Sequence, residues 1–422
     1  MRDPVRRIFI FAITQLLLLA ACGGSGDSLL SSSGGGGNGS SGGNTIAGAA
    51  ANVVSVTVDS GPANAGAGIF NIPYVTVTVC VPGSTTACQT IDHVEVDTGS
   101  PGLRIISSVL SSSMLAALPQ EQSTVGGALV ACNEFEDGIT WGSMRTADLT
   151  ISGEKAASVP MQVIGDPNFP TIPTDCSIHG SPEDTVPLFG ANGILGVGPI
   201  KYDCGDDCTA STQNNVYFSC PSGGGTCQDV DTPLNLQGIN PVVSFTTDNN
   251  GVILELPTIA DSGAVTATGA LVFGIGTESN NALGSATVLT TDSVGDITIT
   301  FNNVQYTDGF IDSGSNLNFI VDNAVTVCGS SPNQVFCPSS ELSVSATNIG
   351  LNNTQSVANF SIGDANTLLN DNPSFAAFDN VVAPNPDPAG FDFGLPFFYG
   401  RNVFTAIEGQ NTSGGMGPYF AY

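Results

Sequence analysis

The sequence predicts a mainly β protein built from two similar halves, and three observations carry that reading. Short runs rich in Val, Thr and Ile recur, as at Val53–Val58, Tyr74–Val79 and Ile297–Phe301. Almost no segment sustains the 3.6-residue apolar period of an amphipathic helix. An apolar strand-like run enters an Asp-hydroxyl-Gly-Ser turn twice, at Asp97-Thr98-Gly99-Ser100 and at Asp312-Ser313-Gly314-Ser315. The two Asp lie 215 residues apart, a spacing that suits one half of a protein rather than one hairpin.

The N-terminus bounds the compartment. Arg2, Arg6 and Arg7 flank an apolar run from Ile8 to Ala21, short for a membrane span and shaped like a secretory signal. The run closes Leu19-Ala20-Ala21-Cys22, small residues before a cysteine placed for lipidation. Gly23 follows, where bacterial lipoproteins held at the inner membrane usually carry Asp. That resemblance implies an outer-membrane lipoprotein facing the periplasm or the cell exterior, in contact with the membrane through its anchor only. Residues 1–21 are thus expected to be the signal peptide, and 22–48 the lipidated Cys22 with a Gly/Ser tether too polar to bury apolar surface.

About 374 residues remain, and 41% of the chain is apolar, enough for sizeable cores. The expected division is an N-terminal β lobe at 49–203, a Cys-rich inter-lobe loop at 204–233 and a C-terminal β lobe at 234–422. Charge is one-sided, with 8 Lys and Arg against 37 Asp and Glu. Removing residues 1–21, with three Arg and one Asp, takes the net charge from −29 to −31. A nucleic-acid partner is excluded, since phosphate binding needs a basic stripe. No cofactor is called for, and a monomer is expected.

With Cys22 lipidated, ten cysteines remain, an even number suited to disulfides in an exported protein. Neighbour pairing predicts Cys80–Cys88, Cys132–Cys176 and Cys328–Cys337. Cys204, Cys208, Cys220 and Cys227 can pair sequentially or nested. Zinc is the rival for that cluster, disfavoured by export, uneven spacing and the absence of nearby His, so no metal site is expected.

One Asp-Thr-Gly alone is a common turn. The repeat gives it weight. In each copy Gly permits a tight turn and close approach to a neighbouring loop. The hydroxyl residues can fix the loop and donate to the carboxylate. Two such loops brought together place Asp97 and Asp312 side by side.

At several points in order the chain resembles the pepsin-like aspartic proteases, over roughly residues 50–422. After the first motif comes Asp137-Gly138-Ile139-Thr140-Trp141-Gly142-Ser143-Met144, similar to the family's flap hairpin with Trp141 where Tyr is usual. Asn192-Gly193-Ile194-Leu195-Gly196 resembles the strand beneath the first catalytic loop. Asn240–Phe245 and Gly269–Gly274 resemble the start of the second lobe. Phe393-Gly394-Leu395 through Ile407 resembles the closing strand and the helix behind it.

The resemblance implies a two-lobed fold whose inter-lobe cleft takes a peptide or protein substrate. It assigns Asp97 and Asp312 to catalysis, with Thr98, Gly99, Ser100, Ser313, Gly314 and Ser315 as loop support and Trp141 as the flap residue. Thr98 and Ser313 would brace the loops, and Ser100 and Ser315 would donate to the outer carboxylate oxygens. Departures stand at Arg104, where the family has Trp, at Asp392, where an apolar residue is usual, and at Leu395, where Asp is frequent. Arg104 is expected to lie over the Trp141 indole face.

Other readings are blander. Ser100 has no triad signature, because His93 reads as a strand residue and His179 as a solvated loop residue. Asp206, Asp207 and Asp371 lack calcium-loop spacing. A lipid-anchored aspartic endopeptidase is the expected function. A catalytically silent peptide-binding lipoprotein is the alternative, and a structural or adhesion lipoprotein comes behind it.

Overall fold

The computed structural model describes residues 44–136, 138–221, 225–330 and 334–422. The expected signal peptide, Cys22, most of the tether and Asp137 of the hairpin lie outside the described residues. The chain is already docked at Asn44, ahead of the expected end of the tether at 48. The Asn44 side-chain amide donates to Leu256 O, Arg401 O and Asn402 Oδ1 at 2.7–2.9 Å.

The protein is mainly β and two-lobed. In the first half, six strands run in the order Ile139–Ile151, Glu154–Ile164, Pro101–Ile106, Gly193–Val197, Cys88–Asp97 and Pro73–Cys80. Thr78–Cys80 then pairs with Asp148–Thr150 and closes the ring into a barrel, leaving no open edge between first and last strand. Apolar side chains fill it, among them Val77, Val94, Val96, Leu149 and Leu195.

In the second half a seven-stranded sheet runs Gln355–Ile362, Leu342–Ile349, Ile297–Phe301, Val304–Ile311, Gly390–Phe393, Asn318–Ile320 and Val382–Pro384. Ile297–Phe301 alternates buried and half-buried positions, the period-2 pattern of a strand covered on one face. Phe301, Phe360, Phe391, Phe393 and Phe397 form a chain of ring contacts with centroids 4.7–6.4 Å apart. Burying each such ring contributes roughly 2–3 kcal/mol.

The halves are sewn together by Val53–Val58, which pairs antiparallel with Ala267–Phe273 in an unbroken register. The segment expected as an inter-lobe loop is more structured than that. It carries a short helix, Asp206–Ala210, and a strand, Tyr217–Cys220, that extends the hairpin strand Ala128–Glu134. The expected closing helix near Leu395–Ile407 is a 3-10 turn, Leu395–Phe398, followed by the strand Asn402–Ala406. The chain beyond that turn is taken up instead by sheet pairing, Asn402–Ala406 lying antiparallel to Gly251–Glu255.

Candidate active site

Asp97 ends the strand Cys88–Asp97, which lies parallel to Gly193–Val197 with Asp97 opposite Gly196. The chain turns through Thr98-Gly99-Ser100 and returns as Pro101–Ile106, antiparallel to the same central strand. The second half repeats this arrangement. Val304–Ile311 lies parallel to Gly390–Phe393, with Ile311 opposite Phe393. Asn318–Ile320 returns on its other side, with Phe319 opposite Asp392. Asp312 follows the first of these strands, and its amide donates to Phe393 O at 2.9 Å. Each carboxylate therefore stands on a loop clamped between two flanking strands and a buried central one.

The two loops grip each other. The Thr98 amide donates to Ser313 Oγ at 3.1 Å, and the Ser313 amide donates to Thr98 Oγ1 at 2.9 Å. Each hydroxyl then donates onward across the divide, Thr98 to Ile311 O at 3.4 Å and Ser313 to Val96 O at 2.7 Å. Asp97 Oδ1 accepts from the Gly99 amide at 2.7 Å and the Ser100 amide at 3.2 Å, and Oδ2 accepts from the Ser100 hydroxyl. Asp312 Oδ1 accepts from the Gly314 amide at 2.7 Å, and Oδ2 from the Ser315 hydroxyl at 3.1 Å.

The glycines set how close the carboxyls come. A Cβ on Gly99 would lie 2.6 Å from Asp312 Cγ, and one on Gly314 would lie 2.8 Å from Asp97 Oδ1. Neither distance leaves room for a methyl group. Asp97 and Asp312 are both fully buried and share a side-chain hydrogen bond. Burial, then the charges of Asp97 and Asp392, then that shared bond hold the Asp312 carboxyl well above the usual carboxylate range. A pair in this state holds one proton between two oxygens and can act as acid and base at once.

Arg104 and Trp141 do not stack. The Arg104 guanidinium donates to Pro101 O at 2.7 Å, to Asn133 Oδ1 at 3.2 Å and to Asp203 Oδ1 at 2.8 Å. Asp203 Oδ2 in turn accepts from the Tyr217 hydroxyl at 2.8 Å. The arginine thus ties the Asp97 loop to the hairpin and to the segment between the halves. Trp141 is buried on the return strand of the hairpin, edge-on to Phe218 at 5.3 Å, with its indole N–H donating to Phe169 O at 2.9 Å. It packs within the hairpin on the strand Ile139–Ile151, one residue after Thr140 and two after the first residue of that strand.

His179 is paired rather than solvated, with Nδ1 2.9 Å from Glu134 Oε1. His93 sits at a positive φ of 47°, 3.4 Å from Asp59 and 3.2 Å from Asp92. Asp206 and Asp207 open the short helix, and Asp371 ends the helix Ala365–Asp371. All ten cysteines pair: Cys80–Cys88, Cys132–Cys176, Cys204–Cys208, Cys220–Cys227 and Cys328–Cys337. The open cluster resolves as sequential pairs, which removes its thiolates from metal binding. Beside Gly99 lies a cavity of about 600 Å³ with walls from both halves, including Glu134, Asp203, Asp296 and Asp308.

Sequence departures flagged Asp392 but not its place. It is fully buried on the central strand of the second half, next to the pair. Only the non-local pairing of that strand with the Asp312 loop reveals this.

No curated protein matches the chain. Among solved structures it is similar to the aspartic proteinase from Irpex lacteus, at 17% identity and a TM-score of 0.47, with 87% of this chain and 96% of that chain covered. Residues 48–422 match the family described as "Protein of unknown function (DUF3443)", and the chain belongs to that family.

Proposed function

We propose that the protein is an aspartic endopeptidase, anchored through Cys22 at the outer membrane, that hydrolyses peptide bonds of a peptide or protein lying between its halves. The observation that carries this is the reciprocal pair: two buried carboxyls, each cradled by its own loop and each facing the glycine of the other. A purely structural turn aspartate has no need of a second one against it, and burying both without a cation is unfavourable unless they share a proton.

In the reaction the ionised member of the pair takes a proton from a water molecule held between the two. That water attacks the scissile carbonyl carbon while the protonated member donates to the carbonyl oxygen. On collapse of the resulting diol the pair gives its proton to the leaving nitrogen and takes one from a diol hydroxyl, so the C–N bond breaks, the amine leaves and the pair is restored with one proton. The titration belongs to the pair as a unit, so neither Asp97 nor Asp312 is given a fixed acid or base role in the cycle. The hairpin tip, held to the loop at 181–183 by bonds between Ile139 and both Ser181 O and Glu183 N, would form the edge of a lid.

The test uses the soluble chain from residue 44 onward, casein and pepstatin, at about pH 3 to 7. Wild type should cleave casein and bind pepstatin, and Asp97→Asn or Asp312→Asn should each abolish cleavage while keeping the fold. A well-folded wild type that neither cleaves nor binds the inhibitor would remove the enzyme reading and leave peptide binding in its place.

A further inference from the structure

One buried side chain of the first half takes its hydrogen-bond partners from the second. Asn71 is fully buried and lies at a positive φ of 52°. Its chain neighbours belong to different cores. Phe70 packs with Leu317, Phe319 and Phe378 of the second half, whereas Ile72 packs with Ile106 and Ile194 of the first. Asparagine tolerates the left-handed backbone of this crossing better than most residues. Asn71 Nδ2 donates to Asn316 O at 2.9 Å and to Phe378 O at 2.8 Å. Asn71 Oδ1 accepts from the Phe378 amide at 2.9 Å and from the Tyr399 hydroxyl at 3.0 Å. A side-chain amide has two donors and two lone pairs on its oxygen, and here all four are used.

The bond to Asn316 O reaches the Asp312 loop. Asn316 follows Ser315, whose hydroxyl donates to Asp312 Oδ2. The first half therefore holds this loop at two points, at Ser313 through Thr98 and at Asn316 through Asn71. Between those points lie Gly314 and Ser315, which supply the donors to the Asp312 carboxyl. The first loop is held differently. There Pro101 follows Ser100, and its carbonyl accepts from the Arg104 guanidinium of the same half at 2.7 Å. In the second loop the Leu395 amide holds Ser315 O from within its own half, at 2.7 Å, and Asn71 ties the next residue to the half that carries Asp97.

We propose that Asn71 is a positioning residue for the pair: by holding Asn316 O from the first half, it fixes the far end of the Asp312 loop and with it the separation of the two carboxyls. This rests on the reading of Asp97 and Asp312 as a working dyad, and adds to it a residue that acts through the loop without meeting the substrate. Two carboxyls share a proton only while their oxygens stay within hydrogen-bond reach. A displacement of about 1 Å at reacting groups can cost about a hundredfold in rate.

The experiment measures kcat and KM for cleavage of a casein-derived peptide by wild type, Asn71→Gly and Tyr399→Phe, with the folded fraction of each taken from circular dichroism. Glycine keeps the left-handed backbone and removes the side-chain amide. Tyr399→Phe removes one bond to Asn71 Oδ1 and leaves the bond to Asn316 O in place. Asn71→Gly should lower kcat per folded molecule by roughly ten- to a hundredfold and leave KM within about threefold. Tyr399→Phe should stay within about threefold of wild type in both. Equal kcat per folded molecule in wild type and Asn71→Gly overturns the proposal, because a structural role alone changes how much protein is folded and not how fast it turns over. A loss in Tyr399→Phe as large as that in Asn71→Gly overturns it too. Asn71→Ser takes the place of Asn71→Gly should the latter not fold.

A second measurement does not depend on activity. Crystal structures of wild type and Asn71→Gly should show the Ser315 hydroxyl drawn out of hydrogen-bond reach of Asp312 in the variant, with the bonds between Thr98 and Ser313 kept. Wild type that fails to cleave, with this displacement in the variant, would defeat the enzyme reading and leave the dependence of the loop on Asn71 standing. Cleavage by wild type, with the loop unmoved in the variant, would do the reverse.

Discussion

Thr98 and Ser313 each donate a backbone amide to the other's hydroxyl oxygen, at 3.1 and 2.9 Å, from loops 215 residues apart in the chain. Each hydroxyl spends its own proton on a carbonyl behind the opposite loop, Ile311 O or Val96 O. Four bonds thus join two buried loops that have no covalent link nearby. Removing either hydroxyl strands an amide and a carbonyl at once.

Replacing Ser313 with Ala leaves the Thr98 amide and Val96 O buried without their partner. An unsatisfied buried group costs about 1–3 kcal/mol, so Ser313→Ala should destabilise the chain by roughly 2–4 kcal/mol in urea unfolding. Thr98→Val, isosteric but without the hydroxyl, should do the same. Catalysis should suffer more than stability, since the loops that align the carboxyls lose their register. Full activity in a Ser313→Ala protein would show that the grip does not position the pair.

Much of this was readable from local sequence, and the reasons it was readable are also its limits. Asp97 and Asp312 stood out because the turn chemistry around each is contained in four residues. Cys80–Cys88 and Cys328–Cys337 followed from neighbour spacing, whereas Cys204, Cys208, Cys220 and Cys227 left sequential and nested pairing open until the structure joined them in sequence. What depends on which way a strand faces did not follow. Trp141 is on the expected hairpin, on the strand Ile139–Ile151, but its indole packs on Phe218 instead of meeting Arg104. Asp392 could be seen as a misfit in an apolar run. Its place beside the pair depends on a strand pairing across about 80 residues, between Val304–Ile311 and Gly390–Phe393.

Arg104 offers a direct check of that correction. Its guanidinium is buried and joins Pro101 O, Asn133 and Asp203. Truncating one partner of a buried ion pair leaves the other charge uncompensated, a loss of about 3–5 kcal/mol. Arg104→Ala should therefore lower the melting temperature strongly, while Asp203→Asn combined with Arg104→Met should recover part of the loss. Folded Arg104→Ala should keep the wild-type Trp141 emission spectrum, because the contacts of that indole lie with Phe218 and Phe169. A shifted spectrum would mean that the two side chains meet after all.

The acidic interior makes stability fall as pH rises. Burial lifts Glu183 to about 7. Burial, against a backbone hydrogen bond and with Asp261 and Glu341 nearby, lifts Asp379 to about 6. Asp312 and Asp392 are raised as well. A carboxyl raised in the folded state holds its proton more tightly there than in the unfolded chain. Its contribution is complete below the unfolded value, near 4, and is lost as pH climbs through the folded one. Asp166, where burial is outweighed by bonds from Ser143, the Asn168 amide and Arg145, sits below the usual range and acts in the opposite sense only under about pH 4. The melting temperature should therefore decline steadily between about pH 4 and 7. Glu183→Gln should flatten the upper part of that decline, removing up to roughly 3 kcal/mol of pH-dependent loss. A melting temperature that rises across this window would contradict the assignment.

The charged side chains that line the cavity beside Gly99 are mostly acidic, which on the proposed reading would give the cleft a charge preference. Its volume is about 600 Å³, and its walls carry Glu134, Asp206, Asp207, Asp296, Asp308 and Glu408. Arg104, its one basic lining residue, is already paired with Asp203. A concave wall of one sign concentrates the field of its charges and draws in ligands of the other sign. On the proposed endopeptidase reading, a substrate passing Gly99 of the first loop would place flanking residues in this cavity. Among matched peptides differing by Lys or Glu at these positions, the Lys peptide should have the higher kcat/KM, by roughly tenfold at low salt. The ratio should shrink as ionic strength rises and the Debye length falls toward about 8 Å. Asp206→Asn with Asp207→Asn should narrow it further without touching the carboxyl pair, since both residues stand on the short helix Asp206–Ala210 outside the two loops. Equal cleavage of Lys and Glu peptides at low salt would place the substrate along a different wall.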